Sequence, residues 1–333
     1  MSFQSGECRV KIPVIFAFDE NYALPASVAI RSLVEAKAEG TSYEIIVLHG
    51  GLGARTRRRM ETLAPIRWVK VCDSILEAWP RRWHCPMCYR LVMAEALPDV
   101  GKAVWCDCDV LFRCDLAELF RTDLDGYDWA AIPMERPDER GGIHRHWNET
   151  DTVFTSCCLV ADLDHWRKAR FAEKFARTAS LHDESLLMPD LDVLNAAGAR
   201  VKPLPIDYSV FVRLVTDGVS APEYPWLERM FGAEKMRRAI ETPKIVHFAG
   251  PPVKVWLQRL EEMPPIYRSE ITRSPFWDRD RERGGVMAFA KFAWHSLAYA
   301  ATREVAHRRL AGVYRRCLVG KGRVADERGG GHG

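Results

Sequence analysis

The sequence predicts an α/β fold with a single, mostly parallel central sheet flanked by helices, followed by a helical, basic C-terminal appendage. Three observations support this prediction. Apolar runs of strand length alternate with helix-like segments between residues 12 and 247, two of these runs end in acidic side chains, and the composition shifts to arginine and aromatic residues after residue 265. Alternating strands and helices are typical of a parallel sheet, because each helix carries the chain back to the end where the previous strand began.

The elements of the N-terminal half follow from hydrophobic spacing. Residues 12–18 form an apolar run rich in β-formers, residues 24–37 carry apolar side chains at helical spacing, and residues 44–49 form a second apolar run. Together they predict a strand, helix and strand unit. The alternation continues with a helix, a strand, a helix and a strand, at 54–63, 68–71, 89–97 and 103–106.

The remaining elements alternate less regularly. We predict strands at 129–133, 154–161 and 243–247, and helices at 166–180 and 190–197. Residues 135–152 are polar and rich in His and Arg. Long unstructured stretches in compact domains are usually functional or disordered, and we interpret this one as a flap near the functional site. The predicted organisation is a catalytic domain, a helical basic-aromatic region and a disordered tail, at 10–262, 263–325 and 326–333.

Composition narrows the functional classes. No stretch reaches the roughly 18 to 20 uninterrupted apolar residues of a membrane span, and the N-terminus lacks a signal sequence, so we expect a cytoplasmic protein. The ten cysteines are then expected to be reduced, without a structural disulfide. Cys85 and Cys88, with His84 beside them, resemble half a zinc site. They lack a second such pair and a thioredoxin-like opening, so we predict neither zinc nor redox chemistry there.

Asp107 and Asp109 are the first candidate functional residues. They close the apolar run 103–106, and another apolar run, 110–112, follows directly. Ligands of open α/β sheets bind at the carboxyl ends of strands, so Asp19, which follows the first strand, is expected on the same rim. Two carboxylates there can share one divalent cation and leave positions for phosphate oxygens. A solvated turn is the alternative for this tripeptide alone, but carboxylates within an apolar stretch need a partner.

A second candidate segment begins at His247, at the end of the predicted strand 243–247. This histidine can complete a ligand set with the two aspartates, and it suits Mn²⁺ better than Mg²⁺. Gly250 would let the backbone approach a ligand, and Lys254 can meet a phosphate as a point charge. Taken alone, His247 could equally be a structural histidine.

Five ordered blocks make the chain resemble glycosyltransferase family 8, which includes bacterial lipopolysaccharide galactosyl- and glucosyltransferases and glycogenin. The blocks are FAFDENY at 16–22, YRL at 89–91, VWCDCDVL at 104–111, DLDVLN at 190–195 and HFAG at 247–250. The resemblance implies the GT-A nucleotide-diphospho-sugar transferase fold, a UDP-sugar donor, Mn²⁺ as cofactor with Mg²⁺ as the alternative, and transfer with retention at the anomeric carbon. It also implies a role in the assembly of lipopolysaccharide or another cell-surface polysaccharide.

The same resemblance implies roles for individual residues. Asp107, Asp109 and His247 would hold the metal, and Asp190 would bind sugar hydroxyls and is the candidate catalytic residue. The donor-binding set would line the uridine, the sugar and the diphosphate, and it comprises Ala17, Asp19, Asn21, Arg90, Asp107, Cys108, Gly250 and Lys254. The donor would be UDP-glucose or UDP-galactose, and the acceptor a saccharide or a glycolipid.

Three departures from the family pattern leave the donor sugar and the catalytic step open. The run 155–157 is Thr-Ser-Cys where relatives commonly have Asn-Ala-Gly, Leu191 stands where some galactosyltransferases have Gln, and the stretch 250–254 is one residue longer than usual. Leu191 cannot act as a nucleophile, so a double displacement would need Asp190. The alternative, which we favour, is attack from the face that the diphosphate leaves, with a phosphate oxygen accepting the proton.

The C-terminal region indicates an anionic partner. Residues 303–323 contain seven Lys or Arg residues against one acid, and aromatic side chains occur among the basic ones from residue 289 onward. Such a helix can lie in the headgroup region of an anionic bilayer, so one interpretation is peripheral attachment to the inner face of the membrane. The other is a helical appendage with a solvated basic face.

Three further functions are open at this point. The departures from the family pattern are compatible with a degenerate nucleotide-sugar-binding protein that lacks transferase activity. A nucleotidyltransferase could also place carboxylates on a metal and a diphosphate, but the segment 247–250 would have no role in it. A nucleic-acid binder would explain the basic tail and leave the acidic rim unexplained, so no nucleic-acid partner is predicted.

Overall fold

The computed structural model describes residues 11–77, 79, 84–135, 152–182, 189–249 and 254–277. The chain forms two compact units, Met1–Gly284 and Gly285–Gly333, and every described residue lies in the first. Almost all of the expected flap at 135–152 and most of the region 263–325 lie outside the described residues, and the division of the chain at residue 262 stays a prediction. Within the described ranges, no helix has both the length and the apolar character needed to cross a membrane.

Seven of the described strands form the central sheet. The ten described strands are β1 (Lys11–Ala17), β2 (Ser42–His49), β3 (Ile66–Lys70), β4 (Lys102–Cys106), β5 (Val110–Phe112), β6 (Trp129–Glu135), β7 (Val153–Asp162), β8 (Val201–Pro203), β9 (Val210–Phe211) and β10 (Ile245–His247). The order in the central sheet is β3-β2-β1-β4-β7-β6-β8. Neighbours from β3 to β4 run parallel, β7 pairs antiparallel with β4 and with β6, and β6 pairs parallel with β8. The predicted mostly parallel central sheet is confirmed.

The pairing of β1 with β4 places two loops at one rim. Ile15 lies opposite Trp105 in this parallel pair, so both strands end at the same edge of the sheet. Cys108, just after β4, donates a hydrogen bond from its Sγ to the carbonyl oxygen of Ala17 at 3.4 Å. The loops that follow the two strands are therefore in contact.

A second sheet of three strands, β5, β10 and β9, was not predicted from the sequence. β10 runs antiparallel to β5, with His247 opposite Val110, and parallel to β9, with His247 opposite Phe211. Because β5 begins directly after Asp109, this register brings His247 beside that residue across a long separation in sequence. The small sheet therefore decides where the histidine lies.

Helices cover both faces of the central sheet. They are α1 (Ala23–Glu35), α2 (Ala54–Glu61), α3 (Met93–Ala96), α4 (Ala117–Phe120), α5 (Leu163–Lys168), α6 (Phe171–His182), α7 (Pro189–Ala196), α8 (Val212–Asp217), α9 (Tyr224–Phe231), α10 (Ala233–Glu241) and α11 (Pro265–Ile271). Side chains of a strand alternate between faces, so Val14 and Phe16 of β1 pack into one hydrophobic layer and Ile15 into the other. The helix predicted at 89–97 differs: a 3-10 helix, Pro86–Val92, precedes the short α3.

α11 is joined to α1 by apolar and charged contacts. Tyr267 of α11 shares a buried apolar cluster with Leu24 and Val28 of α1. Next to it, the buried Arg31 guanidinium lies 2.6 Å from the carboxylate of Glu270. The first helix of the predicted C-terminal region therefore packs on the core of the first unit.

Candidate metal and donor site

Backbone hydrogen bonds fix the segment that carries Asp107 and Asp109. The N–H of Asp107 donates to the carbonyl of Cys157 at 2.8 Å, which ties the end of β4 to β7. The carbonyl of Asp109 accepts from the N–H of Phe248 at 2.8 Å, which ties the start of β5 to the end of β10. Both carboxylates are thus attached to rigid elements from two different sheets.

Asp107, Asp109 and His247 form a group that could hold a metal ion. Nε2 of His247 lies 3.5 Å from Oδ1 of Asp109 and 4.0 Å from Oδ2 of Asp107, and all three ligand atoms lie within 4.8 Å of one another. Two ligands about 2.1 Å from one octahedral ion are about 3 to 4 Å apart, so the group needs only a small contraction to bind one. Carboxylates bind hard divalent cations, and an imidazole can add a nitrogen ligand. The donor set therefore fits the predicted divalent cation.

Lys254 lies directly beside this group. Its Nζ is 2.8 Å from Oδ2 of Asp109 and 5.3 Å from the centre of the Trp256 ring. Its side chain is partly exposed, whereas Asp109 is buried. A partly exposed ammonium group beside a buried carboxylate is in a position to meet a phosphate.

Burial and mutual attraction act in opposite directions on these charges. Burial opposes ionisation of Asp109, but Lys254 and His247 outweigh it and lower the pKa of the carboxyl. Burial likewise opposes the charged form of Lys254, and Asp109 overcomes it and raises the pKa of the amine. The pKa of His247 is also raised, because Cys157 and Asp109 together exceed the effect of burial. A cation that binds Asp109 therefore competes with Lys254 and with a proton on His247.

Arg90 connects Asp107 to Asp190. One terminal nitrogen of its guanidinium lies 2.7 Å from Oδ1 of Asp107, and Nε lies 3.0 Å from Oδ2 of Asp190. The other terminal nitrogen donates to the carbonyl of Ser156, and the guanidinium lies 4.8 Å from the Trp105 ring. Burial opposes its charge, but the two carboxylates raise the pKa of Arg90. Oδ2 of Asp107 is left on the side that faces His247.

α7 places Asp190 and Leu191 on different sides of its first turn. Asp190 is buried against Arg90, and Oγ of Ser156 donates to Oδ2 of Asp190 at 3.3 Å. Burial raises the pKa of Asp190. Leu191 is buried in a small apolar cluster with Met134 and Val153. The side chain at position 191 therefore packs among apolar residues and has no polar group to offer a sugar.

Asn195 sets the position of this helix against β7. Its Oδ1 accepts from the N–H of Phe154 at 2.8 Å, and its Nδ2 donates to the carbonyl of Phe154 at 2.9 Å. The side-chain amide thus makes the two hydrogen bonds that a neighbouring strand would make to Phe154 at the start of β7. Asn195 belongs to the block 190–195, and the contact gives that block a structural role besides the chemistry of Asp190.

The loop after β1 contains the predicted uridine contacts. Asp19 accepts hydrogen bonds from the backbone of Asn21 at 2.9 Å and of Tyr22 at 3.3 Å, and both Asp19 and Asn21 are exposed. Ala17 closes β1 next to Cys108. The structure brings Ala17 and Cys108 together, whereas Asp19 and Asn21 bond to each other. Gly250 lies outside the described residues.

Three neighbours of the predicted site were not identified from the sequence. Phe211 is stacked on the His247 ring, with centroids 5.8 Å apart and an interplanar angle of 24°. Ser156 contacts both Asp190 and Arg90, and Tyr22 packs edge-on against Trp256 at 5.3 Å. Ser156 lies within the unusual run 155–157, which the sequence did mark. The other contacts depend on pairings between distant segments, for which the sequence has no local signal.

Comparisons with known proteins identify the family of this chain. The model of Glycosyl transferase family 8 matches residues 13–259. General stress protein A of Bacillus subtilis is 25% identical over 255 residues, which are 71% of this chain and 85% of that protein. Glycosyltransferase GlyB of Streptococcus pneumoniae is 22% identical over 255 residues, 73% of this chain and 57% of GlyB, so the chain spans little more than half of its length.

A solved structure supports the fold. The galactosyltransferase LgtC, in complex with donor and acceptor sugar analogues, matches with a TM-score of 0.66 at 20% identity, over 82% of this chain and 99% of LgtC. The likeness confirms the predicted GT-A fold.

Proposed function

Because the chain belongs to glycosyl transferase family 8 and is therefore a glycosyltransferase, we propose that it moves a hexose from a UDP-sugar to a saccharide acceptor with retention at the anomeric carbon. The observation that carries the proposal is the convergence of one ligand atom from each of Asp107, Asp109 and His247 within 4.8 Å of one another. These atoms lie at the rim where ligands of α/β sheets bind. A degenerate nucleotide-sugar binder is the second candidate, favoured by Leu191 and the run 155–157.

In this proposal the three ligands hold Mn²⁺, with Mg²⁺ as the alternative. The ion would stabilise the negative charge that develops on the diphosphate as it leaves. Lys254 would shift from Asp109 towards the diphosphate and add a second positive charge there. Arg90 binds Oδ1 of Asp107, so Oδ2 would be the oxygen available to the ion. Ala17, Asp19, Asn21 and Cys108 would bind the uridine, and Gly250 would contact the diphosphate.

We favour attack from the face that the diphosphate leaves. The bond between the anomeric carbon and the phosphate oxygen breaks, the acceptor oxygen bonds to that carbon, and its proton passes to a phosphate oxygen. Oδ2 of Asp190 contacts both Arg90 and Ser156. A carboxylate held in this way suits the orientation of sugar hydroxyls better than nucleophilic attack. Leu191, next to Asp190, has no nucleophilic group, so its side chain cannot form a covalent intermediate.

The donor would be UDP-glucose or UDP-galactose. The name of LgtC favours galactose for that protein, but its donor analogue says nothing about position 191 or the run 155–157 of this chain. The acceptor would be a saccharide or a glycolipid in lipopolysaccharide or other cell-surface polysaccharide assembly. A cytoplasmic location, with the basic C-terminal region on the inner face of the membrane, would bring the enzyme to lipid-linked acceptors.

A panel of UDP-sugars with mass detection tests the function. The purified full chain is incubated with each donor, with and without Mn²⁺, and UDP release and sugar transfer are followed. We expect release with UDP-glucose or UDP-galactose that depends on a divalent cation. Tight UDP binding without hydrolysis or transfer on any acceptor would establish the degenerate binder instead.

Asp190→Ala separates the two mechanisms. If Asp190 only orients the sugar, the variant keeps a measurable residual transfer, whereas the loss of a nucleophile leaves essentially none. Ser156→Ala removes one contact to Asp190 and leaves its carboxylate in place. It serves as the matched control for disturbance of the pocket.

A further inference from the structure

The turn from Cys85 to Cys88 lies behind the site and takes no part in the proposed transfer. Their Sγ atoms are 3.7 Å apart, and the N–H of Cys88 donates to the carbonyl of Cys85 at 2.9 Å. Cys85 is half-buried, and Cys88 is buried. The turn therefore presents one accessible thiol with a second thiol directly behind it.

We propose that Cys85 and Cys88 are a redox modification site, which forms an intramolecular disulfide by exchange with a low-molecular-weight disulfide such as oxidised glutathione. The sulfurs must approach from 3.7 Å to about 2.05 Å, a change within the reach of side-chain rotation and a small adjustment of the turn. The sequence argued against redox chemistry because no thioredoxin-like opening precedes the pair. The structure shows that the two sulfurs are in contact without such an opening.

The two thiols differ in the way that the exchange requires. The contact with Cys88 lowers the pKa of Cys85 to about 7, although burial opposes this. The contact with Cys85 and burial both raise the pKa of Cys88. Thiolates are the attacking species in disulfide exchange, so Cys85 reacts first and Cys88 stays protonated until Cys85 is bound.

The exchange then runs in two steps. The Cys85 thiolate attacks one sulfur of the external disulfide, forms a mixed disulfide and releases one small thiolate. Cys88 gives up its proton and attacks Sγ of Cys85, which releases the second small thiolate and closes the internal bond. The two cysteines are oxidised by two electrons in total, and the external disulfide is reduced to two thiols.

Zinc binding is the competing interpretation of this pair. A structural zinc site needs four ligands. Within the part of the chain that the structure describes, the single group of three or more clustered ligands is Asp107, Asp109 and His247. Nε2 of the neighbouring His84 lies 3.0 Å from the carbonyl of Leu76 and 3.2 Å from that of Trp79, so this nitrogen is engaged elsewhere. These contacts favour the disulfide.

A disulfide in this turn would act on the site through Arg90. The carbonyl of Met87, between the two cysteines, accepts a hydrogen bond from Nε of Arg90 at 3.0 Å. Arg90 in turn holds Asp107 and Asp190. Closure of the disulfide shifts this carbonyl and with it the guanidinium, so oxidation should lower transfer severalfold. This last step rests on the proposed function, whereas formation of the disulfide does not.

The first test needs no sugar donor. The reduced full chain is treated with oxidised glutathione, remaining thiols are alkylated without reduction, and peptides are identified by mass. We expect a peptide in which Cys85 and Cys88 are linked and have lost two hydrogens, and Cys88→Ser should trap glutathione on Cys85. Free alkylation of both thiols, a link from Cys85 to the exposed Cys72, or bound zinc that protects the pair would each overturn the proposal.

The second test measures the ionisation of Cys85 and the effect of the disulfide on transfer. The rate of Cys85 alkylation should rise with pH through a midpoint near 7 in the wild type, and Cys88→Ser should move this midpoint towards the ordinary thiol value near 8.5. Transfer should fall severalfold on oxidation and return with a reductant, and Cys85→Ser should not respond. Cys72→Ser, the matched control at an exposed cysteine, should respond like the wild type. Unchanged transfer by a protein shown to carry the disulfide would refute the coupling through Arg90.

Discussion

Two clusters that combine aspartate with histidine lie at opposite ends of the central sheet. At the rim, Asp109 faces His247 and Lys254, whereas at the other end, before β6, Asp128 faces His165. Asp128 is saturated: Oδ1 lies 2.7 Å from Nε2 of His165, and Oδ2 accepts from the N–H of Arg200 at 2.7 Å. Each of its oxygens has a donor from a ring or the backbone.

At the rim, fewer of the polar atoms have hydrogen-bond partners. Oδ1 of Asp109 is 3.5 Å from Nε2 of His247, and Nδ1 of that buried ring has no hydrogen-bond partner within the described ranges. The other oxygen depends on the partly exposed Lys254. Buried polar groups are normally satisfied, so an incomplete set at a ligand-binding edge indicates a function, and a complete one indicates a structural role. The same residue types therefore serve different purposes at the two ends.

The largest effect is expected from Asp109→Asn. The variant keeps the shape of the side chain but loses the charge that a divalent cation needs. Such an ion contributes several kcal/mol of charge stabilisation, so transfer should fall by about a hundredfold or more. Transfer rates at saturating Mn²⁺ measure this, with the melting temperature as the control for folding. A variant that transfers at the wild-type rate would show that the rim cluster has no role in transfer.

Lys254→Met should have the second largest effect. Methionine keeps the apolar stem that packs near Trp256, while one charge-assisted hydrogen bond, worth about 1.5 to 3 kcal/mol, is lost. Transfer should therefore fall about ten- to a hundredfold, mainly through weaker donor binding. Lys202→Met is the matched control, because Lys202 lies at the other end of the sheet, with Nζ 5.5 Å from the Tyr127 ring. Equal losses in both variants would contradict a role for Lys254 at the diphosphate.

Leu191→Gln should change transfer only a few-fold. The amide would enter an apolar cluster with Met134 and Val153, and an unsatisfied buried amide costs about 1 to 3 kcal/mol. We therefore expect a lower melting temperature and an unchanged choice of donor sugar across the UDP-sugar panel. Leu191→Met, which preserves the apolar volume, is the control. A change of donor with Gln but not with Met would show that position 191 contacts the sugar.

The smallest effect on transfer is expected from Asp128→Asn. The change weakens the contacts to His165 and to the backbone of Arg200, and it should lower the free energy of unfolding by about 1 to 3 kcal/mol. Transfer below the melting transition should stay within twofold of the wild type. Denaturant unfolding and the transfer assay are measured on the same preparation. A large loss of transfer without a loss of stability would mean that the two clusters do not differ in role.

Much of the fold could be predicted because its signals are local. The apolar run 12–18 and the acidic residues after β4 are local features of the sequence, and they correctly located the sheet and its rim. The helix predicted at 89–97 was partly wrong, because Pro86 begins a 3-10 helix whose tight turns aim Arg90 at the carboxylates. Tertiary contacts outweighed helical spacing there.

By itself, the sequence determined an α/β fold of the GT-A type, a rim that carries Asp107 and Asp109, and the membership of the family. Only the tertiary structure decided that β10 pairs with β5 in the register that places His247 beside Asp109, and that Arg90 bridges Asp107 and Asp190. It also decided that the sulfurs of Cys85 and Cys88 are in contact and that Leu191 packs in an apolar cluster with Met134 and Val153. The physical reason is range: periodicity and strand ends are encoded by neighbours, whereas pairings between distant segments depend on the packing of the whole core.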